Sequence, residues 1–224
     1  MEQHDLVPGG GTGGARGGVE GVIDGLAGQG YAVMPGYFSP TLMRALLREA
    51  RLREKRGEFR PAAVGRHNGQ LRNRLVRTDH TCWLEGQSLA QCRLLEELET
   101  LRLGINRSLF LGLFDLESHF AVYPPGAFYR RHLDAFKGNN PRVVSVVVYM
   151  NPVWSAEDGG CLRLWRAPDA RRAIMDVPPR SGTLVCFLSE QIPHEVLPAI
   201  NPRFSIAGWF RRQAGDIPGC IAPL

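Results

Sequence analysis

Two apolar rhythms divide the chain. In the first part, Val19, Val22, Ile23 and Leu26 are spaced for one helix face, and Gly28 and Gly30 supply a stop. The stretch before them, 1–18, is mostly glycine from Pro8 onward, where core formers are lacking, so a disordered arm is expected there. Tyr31-Ala32-Val33-Met34 reads as a short strand. Ser39-Pro40 then offers an N-cap and a proline at the first helical position. Leu42, Met43, Leu46, Leu47 and Ala50 make the buried stripe of that helix, and its other face is arginine. A third helix opens at Ser88-Leu89-Ala90-Gln91, a capping-box pattern, with Leu94, Leu95, Leu98, Leu101 and Leu103 expected to face inward.

From about residue 108 the period changes. Short apolar or alternating runs follow at 118–123, 128–134, 143–150, 161–165, 183–188, 194–197 and 203–210. Proline, glycine and asparagine clusters separate them, among them Pro124-Pro125-Gly126, Asp158-Gly159-Gly160 and Asn201-Pro202. Strands at near-regular spacing with turn signals predict a sandwich or barrel. The expected class is α+β: a double-stranded β-helix (jelly-roll) core over 108–224, with N-terminal buttressing helices in 19–107 packed on it as one domain. No internal repeat is present.

Composition narrows the setting. A chain of 224 residues with 44% apolar content fits one globular domain. No apolar run is long enough for a membrane span, and residues 1–30 lack the charged and apolar regions of a secretory signal. Cys82, Cys92, Cys161, Cys186 and Cys220 are odd in number and form no C-x-x-C pair, which argues against a disulfide framework or structural zinc and for a cytoplasmic location. The net charge of +5 is concentrated: between Arg44 and Arg77, eleven basic residues stand against Glu49, Glu54 and Glu58, a local excess of eight. Such a segment suits an acidic partner or a nucleic acid, but no aromatics interleave for base stacking, so a solvated helix face is the simpler reading.

His132-Leu133-Asp134 sets two metal-binding side chains at i and i+2, which on one strand would share a face. His194 follows in Ile192-Pro193-His194-Glu195-Val196, and Arg203 comes after an Ala199-Ile200-Asn201-Pro202 connection that fits a hairpin, with His194 and Arg203 on adjacent strands. Two imidazoles and one carboxylate leave one side of a metal open, the arrangement of non-haem Fe(II) oxygenases. A buried arginine beside them can fork onto the far carboxylate of a dicarboxylic cosubstrate. Zinc fits less well, since no fourth protein ligand is evident and two histidines with a glutamate, or three histidines, are its commoner sets. Ser145, Val147 and Tyr149 alternate onto one strand face, which puts Val147 in reach of the same pocket.

The matching segments run in order: Val76-Arg77-Thr78-Asp79 to Trp83, Tyr123-Pro124-Pro125-Gly126, Tyr129, His132-Leu133-Asp134, Tyr149-Met150-Asn151 with Trp154, Gly159 to Arg163, Pro193 to Val196, and Arg203 through Phe210. In these the chain resembles the prolyl-4-hydroxylase branch of the 2-oxoglutarate/Fe(II) dioxygenases, nearest the hypoxia-inducible-factor prolyl hydroxylases and their bacterial relatives. The resemblance implies that His132, Asp134 and His194 hold Fe(II), and that Arg203 and Tyr149 bind the distal carboxylate of 2-oxoglutarate. It implies Tyr123 and Tyr129 near the metal, Val147, Leu162 and Val196 as cosubstrate walls, Trp209 closing the pocket, and Arg77 and Asp79 at the substrate entrance. Asp79 could equally serve only to neutralise Arg77, and Trp209 could serve only in packing. Where the family carries a threonine four residues past the arginine, this chain has Ala207, and Ser205 could supply a hydroxyl instead.

The reaction so implied couples decarboxylation of 2-oxoglutarate to succinate with hydroxylation of a C–H bond by dioxygen, with ascorbate as a reductant. The implied partner is a protein carrying a target proline, a translation factor such as elongation factor Tu being one candidate. A free amino acid or other small molecule is the alternative substrate. Nucleic acid in the manner of AlkB is disfavoured, because the second arginine of that group falls at Trp209 here. A non-catalytic iron or oxygen sensor would have no need of Arg203 and Tyr149.

Overall fold

The computed structural model describes residues 13–62, 75–135 and 141–213. The expected arm over 1–12, the middle of the basic segment (63–74), most of the turn cluster at 137–141 and Cys220 lie outside them.

Among the described residues three helices precede most of the sheet: α1 (Gly13–Gln29), α2 (Pro40–Lys55) and α3 (Leu89–Leu109). α1 starts inside the stretch expected to be arm. Gly18 serves close packing there, since a Cβ on it would lie 3.0 Å from the Tyr37 ring. α2 is capped by Ser39, whose hydroxyl accepts from the Leu42 amide, and it buries the stripe Leu42, Met43, Leu46, Leu47 and Ala50. Ser88 caps α3 in the same way, accepting from the Gln91 amide. The buried stripe of α3 continues as Leu94, Leu98, Leu101 and Ile105, so Leu103 falls off it and stands 44% exposed, against expectation. Alternating steps of four and three residues keep that stripe on one face.

Among the described residues eleven strands form two antiparallel sheets: β1 (Tyr31–Met34), β2 (Arg60–Pro61), β3 (His80–Trp83), β4 (Leu113–Tyr123), β5 (Tyr129–His132), β6 (Arg142–Tyr149), β7 (Leu162–Trp165), β8 (Ala173–Val177), β9 (Leu184–Leu188), β10 (His194–Val196) and β11 (Arg203–Arg212). The larger sheet runs β1-β9-β6-β11-β4-β3-β2 and the smaller β5-β10-β7-β8. This is the expected jelly roll, with β1 to β3 from the N-terminal part extending the larger sheet at its flanks. Strand periodicity explains the two cores. Phe120, Val122, Val144, Val146, Val148, Ile206 and Phe210 face the helices with their leucines. Ala121, Tyr123, Tyr149, Val185 and Phe187 face the smaller sheet, meeting Leu162, Leu164 and Val196. Burial on both faces is why 143–148 reads as a nearly continuous apolar run.

β8 was not visible in the sequence pattern. It is an edge strand, held to β7 by a bidentate Arg163–Asp176 pair at 2.7 Å.

The hairpin expected between His194 and Arg203 is not formed. β10 pairs with β5 and β7, whereas β11 pairs with β4 and β6, so the two residues belong to opposite sheets. The connection between them is the corner where the chain changes sheets. Its backbone is spent elsewhere: Pro198 O accepts from Gly160, Ala199 O from Gly126, and the Ile200 amide donates to Asp158 O. With those groups occupied, 199–202 cannot close a hairpin ladder.

Candidate metal and cosubstrate site

His132 ends β5, and it faces His194 directly across the β5–β10 ladder. Asp134 lies in a bend two residues past the strand rather than on it, a departure from the expected shared strand face. It converges all the same. His132 Nε2 is 3.4 Å from Asp134 Oδ1, His194 Nε2 is 3.6 Å from Asp134 Oδ2, and ligand atoms of all three lie within 4.8 Å of one another. Adjacent ligands of a six-coordinate ion at about 2.1 Å are about 3 Å apart, so the spacing suits a small divalent cation with little adjustment.

The protonation pattern suits it too. Nδ1 of His132 lies 2.7 Å from the Arg130 carbonyl and Nδ1 of His194 3.1 Å from the Ile192 carbonyl. Each Nδ1–H therefore donates to backbone, and each Nε2 lone pair turns toward the carboxylate. A cation between the two Nε2 atoms and the carboxylate would satisfy all three. Burial, and then the neighbouring His132, lower the His194 pKa to about 4, so it is a neutral donor at neutral pH. Burial opposes charge on Asp134, but His194, His132 and the Ser145 hydroxyl together hold its carboxyl far below the usual range. Tyr129 stacks on the His132 ring at 3.6 Å, and Phe187 packs 4.5 Å from that of His194.

Arg203 is 1% exposed, and no carboxylate among the described residues pairs with it. Its Nε donates to the Gly160 carbonyl at 2.9 Å and its Nη1 to Ser205 Oγ at 3.2 Å. The guanidinium also lies 4.9 Å from the Tyr123 ring and 5.0 Å from that of Tyr149. A buried cation without a counter-ion is costly, and a bound dicarboxylate would offset that cost. The Tyr149 hydroxyl is buried and has no hydrogen-bond partner. Burial raises its pKa, against the opposing charge of Arg203, so it stays a donor in want of an acceptor. Burial likewise raises the Tyr123 pKa, and that of Tyr129 to about 12.

One cavity joins the triad to Arg203, while Tyr149 lies behind its wall, against the Arg203 guanidinium. Its walls include the triad, Arg203, Ser205, Tyr123 and Tyr129, with Val147, Leu162 and Val196 as apolar lining. Arg77 and Asp79 line it as well, locked in a bidentate pair at 2.8 and 2.6 Å with Asp79 1% exposed. Arg77 lies 4.2 Å over the Tyr129 ring, so Asp79 does neutralise Arg77, and the pair braces the aromatic that backs His132. Trp209 lines the cavity under the Arg142 guanidinium, 3.5 Å from its ring.

Several groups escaped the sequence. Ser145 had been placed on the right strand face, but its 2.6 Å hydrogen bond to Asp134 Oδ2 had no signal in any motif. His119, in the cavity wall between Trp83 and Trp209, looked like an ordinary strand residue. Burial lowers its pKa to about 4. Alternation along β4 could have found it, since it is two residues from Ala121 and four from Tyr123 on the inward face.

Two sheets that enclose a His–Asp–His triad and a buried, unpaired arginine define an iron oxygenase that uses a dicarboxylic cosubstrate. The 2OG-Fe(II) oxygenase superfamily matches residues 118–211. A Pseudomonas putida prolyl-4-hydroxylase structure is 44% identical, with a TM-score of 0.77 over 87% of this chain and 99% of that one. The Caenorhabditis elegans hypoxia-inducible factor prolyl hydroxylase is 29% identical over 206 residues, and the human Egl nine homolog 1 is 31% identical over 146. These alignments cover 81% and 60% of this chain but only 26% and 33% of those longer proteins. The chain belongs to the 2OG-Fe(II) oxygenases, within their prolyl hydroxylases. The family's cofactor is Fe(II), and its cosubstrates are 2-oxoglutarate and dioxygen. No helix among the described residues is long and apolar enough to cross a membrane.

Proposed function

We propose that this chain is a 2-oxoglutarate- and Fe(II)-dependent prolyl 4-hydroxylase whose substrate is a proline in a cytoplasmic protein, a translation factor such as elongation factor Tu being the candidate. The observation that carries the chemistry is the convergence of His132, Asp134 and His194 beside a buried Arg203 with no carboxylate partner. The proline target is supported by membership of the prolyl hydroxylases and by the names of the relatives.

In this reading His132, Asp134 and His194 would hold the iron through their two Nε2 atoms and one carboxylate. The metal and cosubstrate, when bound, supply the oxidising chemistry: one atom of dioxygen goes to succinate and the other to the hydroxylated carbon. The chain's own residues orient and exclude. Arg203 forks onto the distal carboxylate of 2-oxoglutarate, and Tyr149 and Ser205 add hydroxyls to that contact. Val147, Leu162 and Val196 keep water from the carbon chain of the cosubstrate. The Arg77–Asp79 pair fixes Tyr129 behind His132.

The test is mass spectrometry of lysate proteins incubated with the enzyme, Fe(II), 2-oxoglutarate and heavy-isotope dioxygen, beside a His194→Ala control. One heavy oxygen on a proline, absent in the control, is the expected result and names the target. Succinate release without any labelled peptide would overturn the protein substrate while leaving the iron chemistry standing.

A further inference from the structure

Asp134 is the one triad member that no strand holds, so something else must fix it. Two serines from the opposite sheet do so, one on β6 and one just past the end of β9. Ser145, on β6, donates its hydroxyl to Asp134 Oδ2 at 2.6 Å. Ser189, one residue past β9, lies 2.9 Å from Ser145, oxygen to oxygen. Both serines are buried, at 1% and 0% exposure. A hydroxyl has one proton. Ser145 commits its own to the carboxylate, so Ser189 must donate to Ser145, and the relay runs one way: Ser189 to Ser145 to Asp134. The backbone joins in. The Ala135 amide donates to the Ser189 carbonyl at 3.2 Å, and the Ser189 amide donates to Val143 O at 2.9 Å. Ser189 thus grips the bend after Asp134 with its carbonyl and the Asp134 side chain through its hydroxyl.

We infer that Ser145 and Ser189 are positioning residues that set the rotation of the Asp134 carboxylate, so that it meets the metal through one oxygen. The hydrogen bond draws charge from Oδ2 and stops the carboxylate from swinging both oxygens onto the ion. A one-oxygen aspartate keeps three positions of a six-coordinate ion open. Two are needed by a chelating cosubstrate and one by dioxygen. A carboxylate bound through both oxygens would close one of them. This inference rests on the triad reading, and the experiment separates the two.

Mn(II) binding followed by water-proton relaxation reads affinity and the number of open water positions without any turnover. In the natural chain Mn(II) should bind in a manner that His194→Ala abolishes. Ser145→Ala should lower the relaxation per bound ion by about one third, one of three open positions being closed. It should also weaken Mn(II) binding by about 10- to 100-fold. Ser189→Ala should move both readouts the same way by less, and Ser145→Thr, which keeps the hydroxyl, should restore them. Circular dichroism identifies folded variants, and Ser189→Ala, farther from the metal, carries the test if Ser145→Ala does not fold. Folded Ser145→Ala and Ser189→Ala chains with natural relaxation and affinity would overturn the relay. So would a change that Ser145→Thr fails to restore. Mn(II) binding indifferent to His194→Ala would overturn the triad itself.

Discussion

The Gly160 carbonyl fixes Arg203 by accepting from its Nε at 2.9 Å, and only a glycine can bring that carbonyl so near. Gly159 and Gly160 both take left-handed backbone angles, φ +65° and +64°, which turn the chain back on itself before β7. A Cβ on Gly160 would meet Ala199 Cβ at 2.7 Å, Trp154 Cζ2 at 3.1 Å and Arg203 Cδ at 3.4 Å. Gly160→Ala should therefore displace the guanidinium. We expect the KM for 2-oxoglutarate to rise by roughly tenfold, equivalent to about 1–2 kcal/mol of backbone strain and lost hydrogen bond. Succinate initial rates against cosubstrate concentration measure it. A normal KM with only a lowered melting temperature would show that the turn is structural and does not aim Arg203.

Removing the guanidinium itself should do more. Arg203→Ala deletes the cation aimed at the distal carboxylate in the proposed pose, and a cost on the order of 3–5 kcal/mol in 2-oxoglutarate binding is expected for losing one side of a buried ion pair. Arg203→Lys keeps the charge but loses the fork, so it should recover only part of that loss. Binding can be read by titration with the cosubstrate under anaerobic conditions. Equal affinity in all three chains would remove Arg203 from the site.

Tyr149→Phe should have effects of opposite sign on two measurements. Without cosubstrate, the Tyr149 hydroxyl is buried without a partner, so its removal should leave stability unchanged or raise it by about 1 kcal/mol. With cosubstrate the same change should weaken binding by about 1 kcal/mol, one hydrogen bond to a charged group being lost. Paired thermal melts, with and without 2-oxoglutarate, give both numbers. A loss of stability in the cosubstrate-free protein would mean that the hydroxyl is structural.

The chemistry of this chain was more legible than its connectivity. His132, Asp134, His194 and Arg203 announce themselves because metal ligands and a carboxylate fork admit few residue types, so their order along the chain carries information. Which sheet each strand joins does not follow from local pattern. β10 is three residues long, and its partners were settled by distant ladders with β5 and β7. The hairpin expected after it failed for that reason. Asp134 was misplaced by the assumption that an H-x-D pair stays on one strand; the strand ends at His132, and Ser145 and Ser189 complete the work from the other sheet. A serine on an apolar strand has no distinguishing signal until the carboxylate it serves is seen beside it. β8 was missed because it is an edge, where the apolar alternation is weak and the Arg163–Asp176 pair supplies what packing does not.

Acid should destabilise the metal-free protein through its buried histidines. His119 is 5% exposed and His194 6%, and burial lowers both from an ordinary 6.5 to about 4. Between those two values the unfolded chain takes up protons that the folded chain refuses. Stability is thus full above pH 6.5 and falls as pH drops toward 4, by roughly 2–4 kcal/mol for each histidine. Asp134 acts in a lower window: its depressed pKa gives stability that is kept above its ordinary 3.8 and lost only below it. His119 is not a member of the triad, so it can be tested alone. His119→Gln should remove about half of the histidine-linked loss, flattening the slope of unfolding free energy against pH between 6.5 and 4. Urea unfolding of both chains, with a chelator present, at several pH values across that window measures the difference. Parallel slopes would mean that His119 is protonated freely in the folded state and does not sit in the cavity wall as a neutral imidazole.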